Sequence, residues 1–198
     1  MNNKSKVLIV GDSFSSQQLA GRYGWPVLLC EDFNVTNLSA PGIGQYKILK
    51  KIQSVDLVNY DAVLISHTSP NRLHTLTNPL YPLGHLYNGS DIIFADAEAK
   101  SDQLPIAQSL VNYYKYIFDQ DYYNFIHRSC CQQIDQITKQ TSVIHITNFD
   151  WANLYQFSNL INFYDLWLTN RGEYVHYSES ANQIIYHQLK KILKELAS

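Results

Sequence analysis

Net charge of one sign, cysteine and long apolar runs are all scarce in this chain of 198 residues. Lysine and arginine total 15 and aspartate and glutamate 17, a net charge of -2. Such a balance offers no basic field to attract nucleic acid or an anionic membrane, so neither partner is expected. The cysteines, Cys30, Cys130 and Cys131, are odd in number and lack a metal-ligand spacing. Buried thiols in a reduced compartment are expected, with no metal and no cofactor. No apolar stretch is long enough to span a bilayer. The opening Met-Asn-Asn-Lys-Ser-Lys leads straight into an apolar run without a signal-peptide h-region, which predicts a cytoplasmic protein. Repeats and linkers are absent, so a single domain over 1–198 is expected.

Hydrophobic residues make up 45% of the chain, which excludes wholesale disorder and supplies a core. Apolar runs near Val7, Val35, Val63 and Val143 alternate with helical patterns from Ser16, over Gln45–Val55, through 106–140 and from Ser178 to Leu196. That alternation predicts an α/β fold with a central parallel sheet between helices. The segment 73–105 breaks the rhythm with Pro79, Pro82, Gly84, Gly89 and Pro105. It is expected to be an irregular insertion serving as a lid or a substrate wall. The tyrosine-dense region after it, from Tyr113 to Tyr123, has spacing suited to core packing. The same rings could also form a platform for a sugar, as could Trp25, Trp151 and Trp167.

The chemistry begins where the first strand ends. Residues 6–13 read Lys-Val-Leu-Ile-Val-Gly-Asp-Ser, which puts Asp12 and Ser13 at the carboxyl edge of a parallel sheet, where ligands bind. Asp and Ser also cap helices, so a purely structural role is the alternative. A serine nucleophile needs a histidine base and an orienting group. His176, with Glu173 three residues before it, supplies both from the other end of the chain, and Asp165 is a second candidate orienter.

Gly11-Asp12-Ser13-Phe14-Ser15 resembles the first block of the SGNH hydrolases, also called the GDSL esterase/lipase superfamily. Glu173 to His176 resembles the last block, with Glu in place of the usual Asp. Asn37-Leu38-Ser39-Ala40-Pro41-Gly42 is similar to the second block, in which Gly42 would direct its N–H into an oxyanion hole. Gly44 is a weaker candidate for that role. After the strand 61–66, the family's Gly-x-Asn-Asp is replaced by His67-Thr68-Ser69-Pro70-Asn71-Arg72. Asn71 would provide the side-chain donor if the loop is longer, and Thr68 or Ser69 otherwise.

The resemblance implies a three-layer α/β/α, flavodoxin-like SGNH fold. Ser13, His176 and Glu173 would be catalytic, and Gly42 and Asn71 would form the oxyanion hole. Asp12, Thr68 and Arg72 would contact substrate. The implied activity is hydrolysis of a small-molecule or glycan ester, as by a small-acyl esterase or a carbohydrate O-deacetylase. A non-catalytic binding protein of the same fold, or an O-acyltransferase with the same site, remains the alternative. His67, His74, His85, His127, His145 and His187 are expected to be core or surface histidines.

Overall fold

The computed structural model describes residues 4–17, 24–151, 154–172 and 176–196. Five strands form one sheet: β1 (Lys6–Gly11), β2 (Asn34–Asn37), β3 (Ala62–Ser66), β4 (Val143–Thr147) and β5 (Leu160–Asn162). Their order is β2-β1-β3-β4-β5, and every neighbouring pair is parallel. Val7 to Val10 lie on the interior strand β1 and are fully buried, as a continuous β-branched and leucine run should be.

Alternation along the strands separates two cores. Val7 and Ile9 of β1 face the same side as Leu64, Ile144 and Ile146. They pack against α1 (Trp25–Leu29) and the closing helix α7 (Glu179–Leu196) through Trp25, Leu29, Ile185 and Leu189. Leu8 and Val10 face the opposite side with Val63 and Ile65. There α2 (Gln45–Gln53) covers them with Ile48, Leu49 and Ile52, and α5 (Gln120–Thr138) with Cys130 and Ile134. The arrangement is a three-layer α/β/α sandwich. Each fully buried Leu or Ile stabilises it by about 1.5–3 kcal/mol.

The helical region 106–140 divides in two. α4 (Pro105–Tyr116) begins on a proline, which suits a first turn whose N–H groups have no helical partner. α5 restarts after Asp119, whose carboxylate accepts from the N–H groups of Asp121 and Tyr122. The expected helix from Ser16 falls largely on residues outside those described. One other expectation changes. The segment 73–105 is not wholly irregular, because it contains α3 (Phe94–Lys100). With Leu80, Ile92, Ala107 and Val111 it builds a third, smaller cluster. Edge strand β5 is followed by the short helix α6 (Tyr164–Thr169).

Cys130 and Cys131 are buried thiols, but Cys30 is exposed because it ends α1 rather than facing the sheet. Among the described residues no helix is long and apolar enough to cross a membrane.

Candidate active site

The chain runs from β1 outward to β2 on one side, then returns to place β3 on the other side of β1. Connections therefore leave the carboxyl ends of β1 and β3 in opposite directions and open a crevice between them. In open parallel sheets this switch point is where ligands bind. The turn after β1 and the loop after β3 both border it.

From Gly11 to Ser16 every residue is buried except Ser13, which is half-buried. The turn is fixed by its own bonds. Asp12 Oδ1 accepts from Phe14 N–H at 3.1 Å, and Asp12 carbonyl accepts from Ser15 N–H at 3.2 Å. Asn37, at the end of β2, donates to Ser15 carbonyl at 2.8 Å, and Trp25 Nε1–H donates to Phe14 carbonyl at 3.0 Å. Held on all sides, the turn presents Ser13 to a cleft of about 320 Å³.

His176 lines that same cleft. Its ring lies against Phe14, with centroids 5.0 Å apart. The neighbouring residue anchors the segment: Tyr177 is buried, packs on Phe14, and donates its hydroxyl to Asn148 Oδ1. Asn148 in turn donates to Ser66 Oγ at 3.2 Å, at the end of β3. Hydrogen bonds thus connect the C-terminal segment with His176 to the strand ends that border Ser13. Glu173 lies outside the described residues. Asp165 is exposed in the first turn of α6 and is not among the residues lining the cleft.

Gly42 also lines the cleft and has a φ of +70°, a conformation that favours glycine. Its carbonyl accepts from Asp91 N–H at 2.9 Å and from Arg72 Nη1 at 3.0 Å. Gly44 N–H instead donates to Asp91 Oδ2 at 2.6 Å, so its donor is committed to the fold.

Arg72 joins all three loops of the crevice. Its Nε donates to Thr68 Oγ1 at 2.8 Å, its Nη1 reaches Gly42, and its Nη2 stands 3.7 Å from Asp12 Oδ2. Asp12 is fully buried. Burial pushes its carboxyl up to about 6, against the Arg72 charge, the Phe14 N–H and the Thr68 hydroxyl, which hold it down.

Asn71 takes a different place. It is exposed, accepts from Gln120 Nε2 at 2.7 Å, and lines two adjoining clefts rather than the one that holds Ser13. The reason is local: a buried His67-Thr68 pair follows β3, and the chain then turns outward at Pro70 before Arg72 returns.

The segment 73–105 supplies one wall through Tyr81, Tyr87, Ser90, Asp91, Ile93 and Asp96. Burial raises the Asp96 carboxyl, and the Tyr81 hydroxyl donates to it at 3.3 Å. Trp167, one of the tryptophans the sequence offers as a ring platform, also lines the cleft, with Phe149. Phe149 and the individual members of the 73–105 wall were not legible in the sequence, where the only signal was the break in the strand and helix rhythm.

His67, His127 and His145 are buried together beneath the site. His67 Nδ1 meets Gln45 Nε2 at 2.8 Å and its Nε2 meets His145 Nδ1 at 2.9 Å, while His127 Nε2 donates to Thr68 carbonyl at 2.9 Å. Desolvation holds all three imidazoles below their usual range, His127 and His145 at about 4. They are neutral structural groups that pin the loop after β3. Among the described residues no group of three or more His, Cys, Asp or Glu side chains is placed to hold a metal ion. Compared with known proteins, the chain matches no family model and no curated protein.

Proposed function

We propose that this protein is a serine ester hydrolase of the SGNH type. The observation that carries the reading is that Ser13 and His176, from opposite ends of the chain, line one cleft at the sheet's switch point. Ser13 Oγ attacks the ester carbonyl carbon while the His176 imidazole accepts its proton. Glu173 orients that imidazole. The tetrahedral oxyanion takes hydrogen bonds from the Ser13 and Gly42 peptide N–H groups.

Arg72 is the third donor in place of Asn71, because it lines the Ser13 cleft and its Nη2 side is not used on Thr68 or Gly42. Collapse of the intermediate breaks the bond to the alcohol oxygen, which leaves with the proton held by His176. Water, deprotonated by His176, then attacks acyl-Ser13, and the carboxylic acid departs as Ser13 regains its proton. Asp12 is a positioning residue, since Phe14 N–H and the guanidinium of Arg72 both take their place from it.

A fluorophosphonate probe tests the reading, because it reacts only with an activated serine. Covalent labelling mapped to Ser13, lost in His176→Ala, is the expected result. Ser13→Ala should also remove hydrolysis of p-nitrophenyl acetate without a change in melting temperature. An unlabelled wild-type protein would refute the assignment.

A further inference from the structure

A second cleft, of about 500 Å³, adjoins the Ser13 cleft and shares Phe149 and Trp167 with it. Its size falls within the ~300–1,000 Å³ of small-molecule sites. One wall is a row of amides. Gln120 Nε2 donates to Asn71 Oδ1 at 2.7 Å and to Asn124 Oδ1 at 2.9 Å, which sets the three side chains in fixed orientation. The side-chain Nδ2 groups of Asn71 and Asn124 and the Oε1 of Gln120 make no hydrogen bond to another described residue. Each amide carries two donors and an acceptor, so the row can both give and take hydrogen bonds.

Aromatic rings complete the lining. Tyr164 and Trp167 pack on each other with centroids 5.8 Å apart and planes tilted by 34°, and the Arg171 guanidinium lies over the Trp167 ring, 4.3 Å from its centroid. Among the described residues no lysine or arginine lines the cleft, and Asp150 is the one carboxylate that does. A phosphorylated or sulfated ligand would meet that carboxylate on the lining, and the guanidinium of Arg171 beside it is stacked on Trp167. Paired amides and aromatic rings in one lining suit a ligand with hydroxyls on its edges and C–H groups on its faces, which is the surface of a sugar ring.

We propose that this cleft is a subsite for a neutral oligosaccharide. It further rests on the serine-hydrolase reading that the cleft holds the sugar portion of the ester while the acyl group occupies the Ser13 cleft. Asn124 and Tyr164 lie in the second cleft and not in the first. They therefore govern sugar affinity without taking part in the chemistry.

The test separates this proposal from the hydrolase reading. Neutral oligosaccharides of two to four residues, built from glucose, xylose, mannose or N-acetylglucosamine, are titrated into the Ser13→Ala protein, which cannot turn over. Calorimetry gives the affinity. Intrinsic fluorescence reports the location, because Trp151 and Trp167, two of the three tryptophans, line this cleft.

Saturable binding by at least one glycan, with a change in tryptophan emission, is expected. Asn124→Ala and Tyr164→Phe should each weaken it roughly threefold to tenfold, as for loss of one hydrogen bond. Tyr164→Ala should weaken it further. In the active protein these variants should raise KM for an O-acetylated form of the bound glycan and leave p-nitrophenyl acetate turnover unchanged. Binding by none of the panel, or binding that survives both Asn124→Ala and Tyr164→Ala, would overturn the proposal. Binding that behaves as expected in a protein whose Ser13 resists the fluorophosphonate would keep the sugar subsite and overturn only the hydrolysis.

Discussion

Arg72 has the most to hold together, since one guanidinium touches Thr68, Gly42 and the buried Asp12. Arg72→Met removes the proposed oxyanion donor, and kcat/KM should fall about 100-fold or more. Arg72→Lys should recover only part of that, because an ammonium cannot replace the planar fork. A pH-dependent stability change separates this effect from plain loss of packing. Without Arg72 the Asp12 carboxyl moves above about 6, so its ionisation at pH 8 opposes folding. At pH 5 Asp12 is largely protonated in the folded state, and the missing charge matters less. Melting of Arg72→Met against wild type should show the larger deficit at pH 8, and an equal deficit at both would contradict the pairing. The sequence marks Arg72 only as a candidate substrate-binding residue. That Arg72 rather than Asn71 lines the Ser13 cleft was not legible, because only the buried His67-Thr68 pair fixes where the chain turns outward.

Elements with strong local signals were legible almost to the residue. β4 at Val143–Thr147 and α7 at Glu179–Leu196 match their apolar patterns, because those elements are long or buried on both faces. β5 was not legible, since three half-exposed residues at a sheet edge carry no periodicity. α3 was hidden for a related reason: only Ala97 of it is buried, so it shows no apolar stripe. The loop after β2 holds Gly42 at a positive φ, and its geometry gives a graded prediction. A Cβ at Gly42 would lie 2.6 Å from Ser90 Cβ, whereas one at Gly84, also at positive φ, would meet nothing within 4 Å. Gly84→Ala should therefore cost only the left-handed backbone penalty, about 1–2 kcal/mol. Gly42→Ala should cost more by denaturant unfolding, and should also reduce activity by shifting a proposed oxyanion donor. Ser90→Gly relieves the clash but also removes the hydroxyl that accepts from Asn78 Nδ2 at 2.8 Å, so the double variant is measured against Ser90→Gly alone, on which Gly42→Ala should cost about as little as Gly84→Ala.

Across the whole molecule, buried titratable groups set a pH window for stability. His67, His127 and His145 have folded pKa values below the ordinary 6.5, with His127 and His145 at about 4. The unfolded chain therefore binds more protons between pH 6.5 and 4. Their contribution is complete above pH 6.5 and is lost as the pH falls toward 4. Asp12 and Asp96 have raised values, so they act in the opposite sense and gain stability on acidification, Asp12 between pH 3.8 and about 6. Three histidines outweigh two carboxyls, one of which is only partly buried. Stability around pH 5 should thus fall on acidification, where one fully titrating group contributes about 1.36 kcal/mol per pH unit. Urea unfolding at half-unit steps from pH 7.5 to 4.5 measures the slope. His145→Phe tests its origin, because His145 already stacks on Phe157 at 3.8 Å and a phenyl ring can occupy the same layer. That variant loses one titrating imidazole, and the one next to His67, so its unfolding free energy should vary less with pH below 6.5 than that of the wild type. A slope unchanged by the substitution would mean that acid sensitivity comes from elsewhere in the fold.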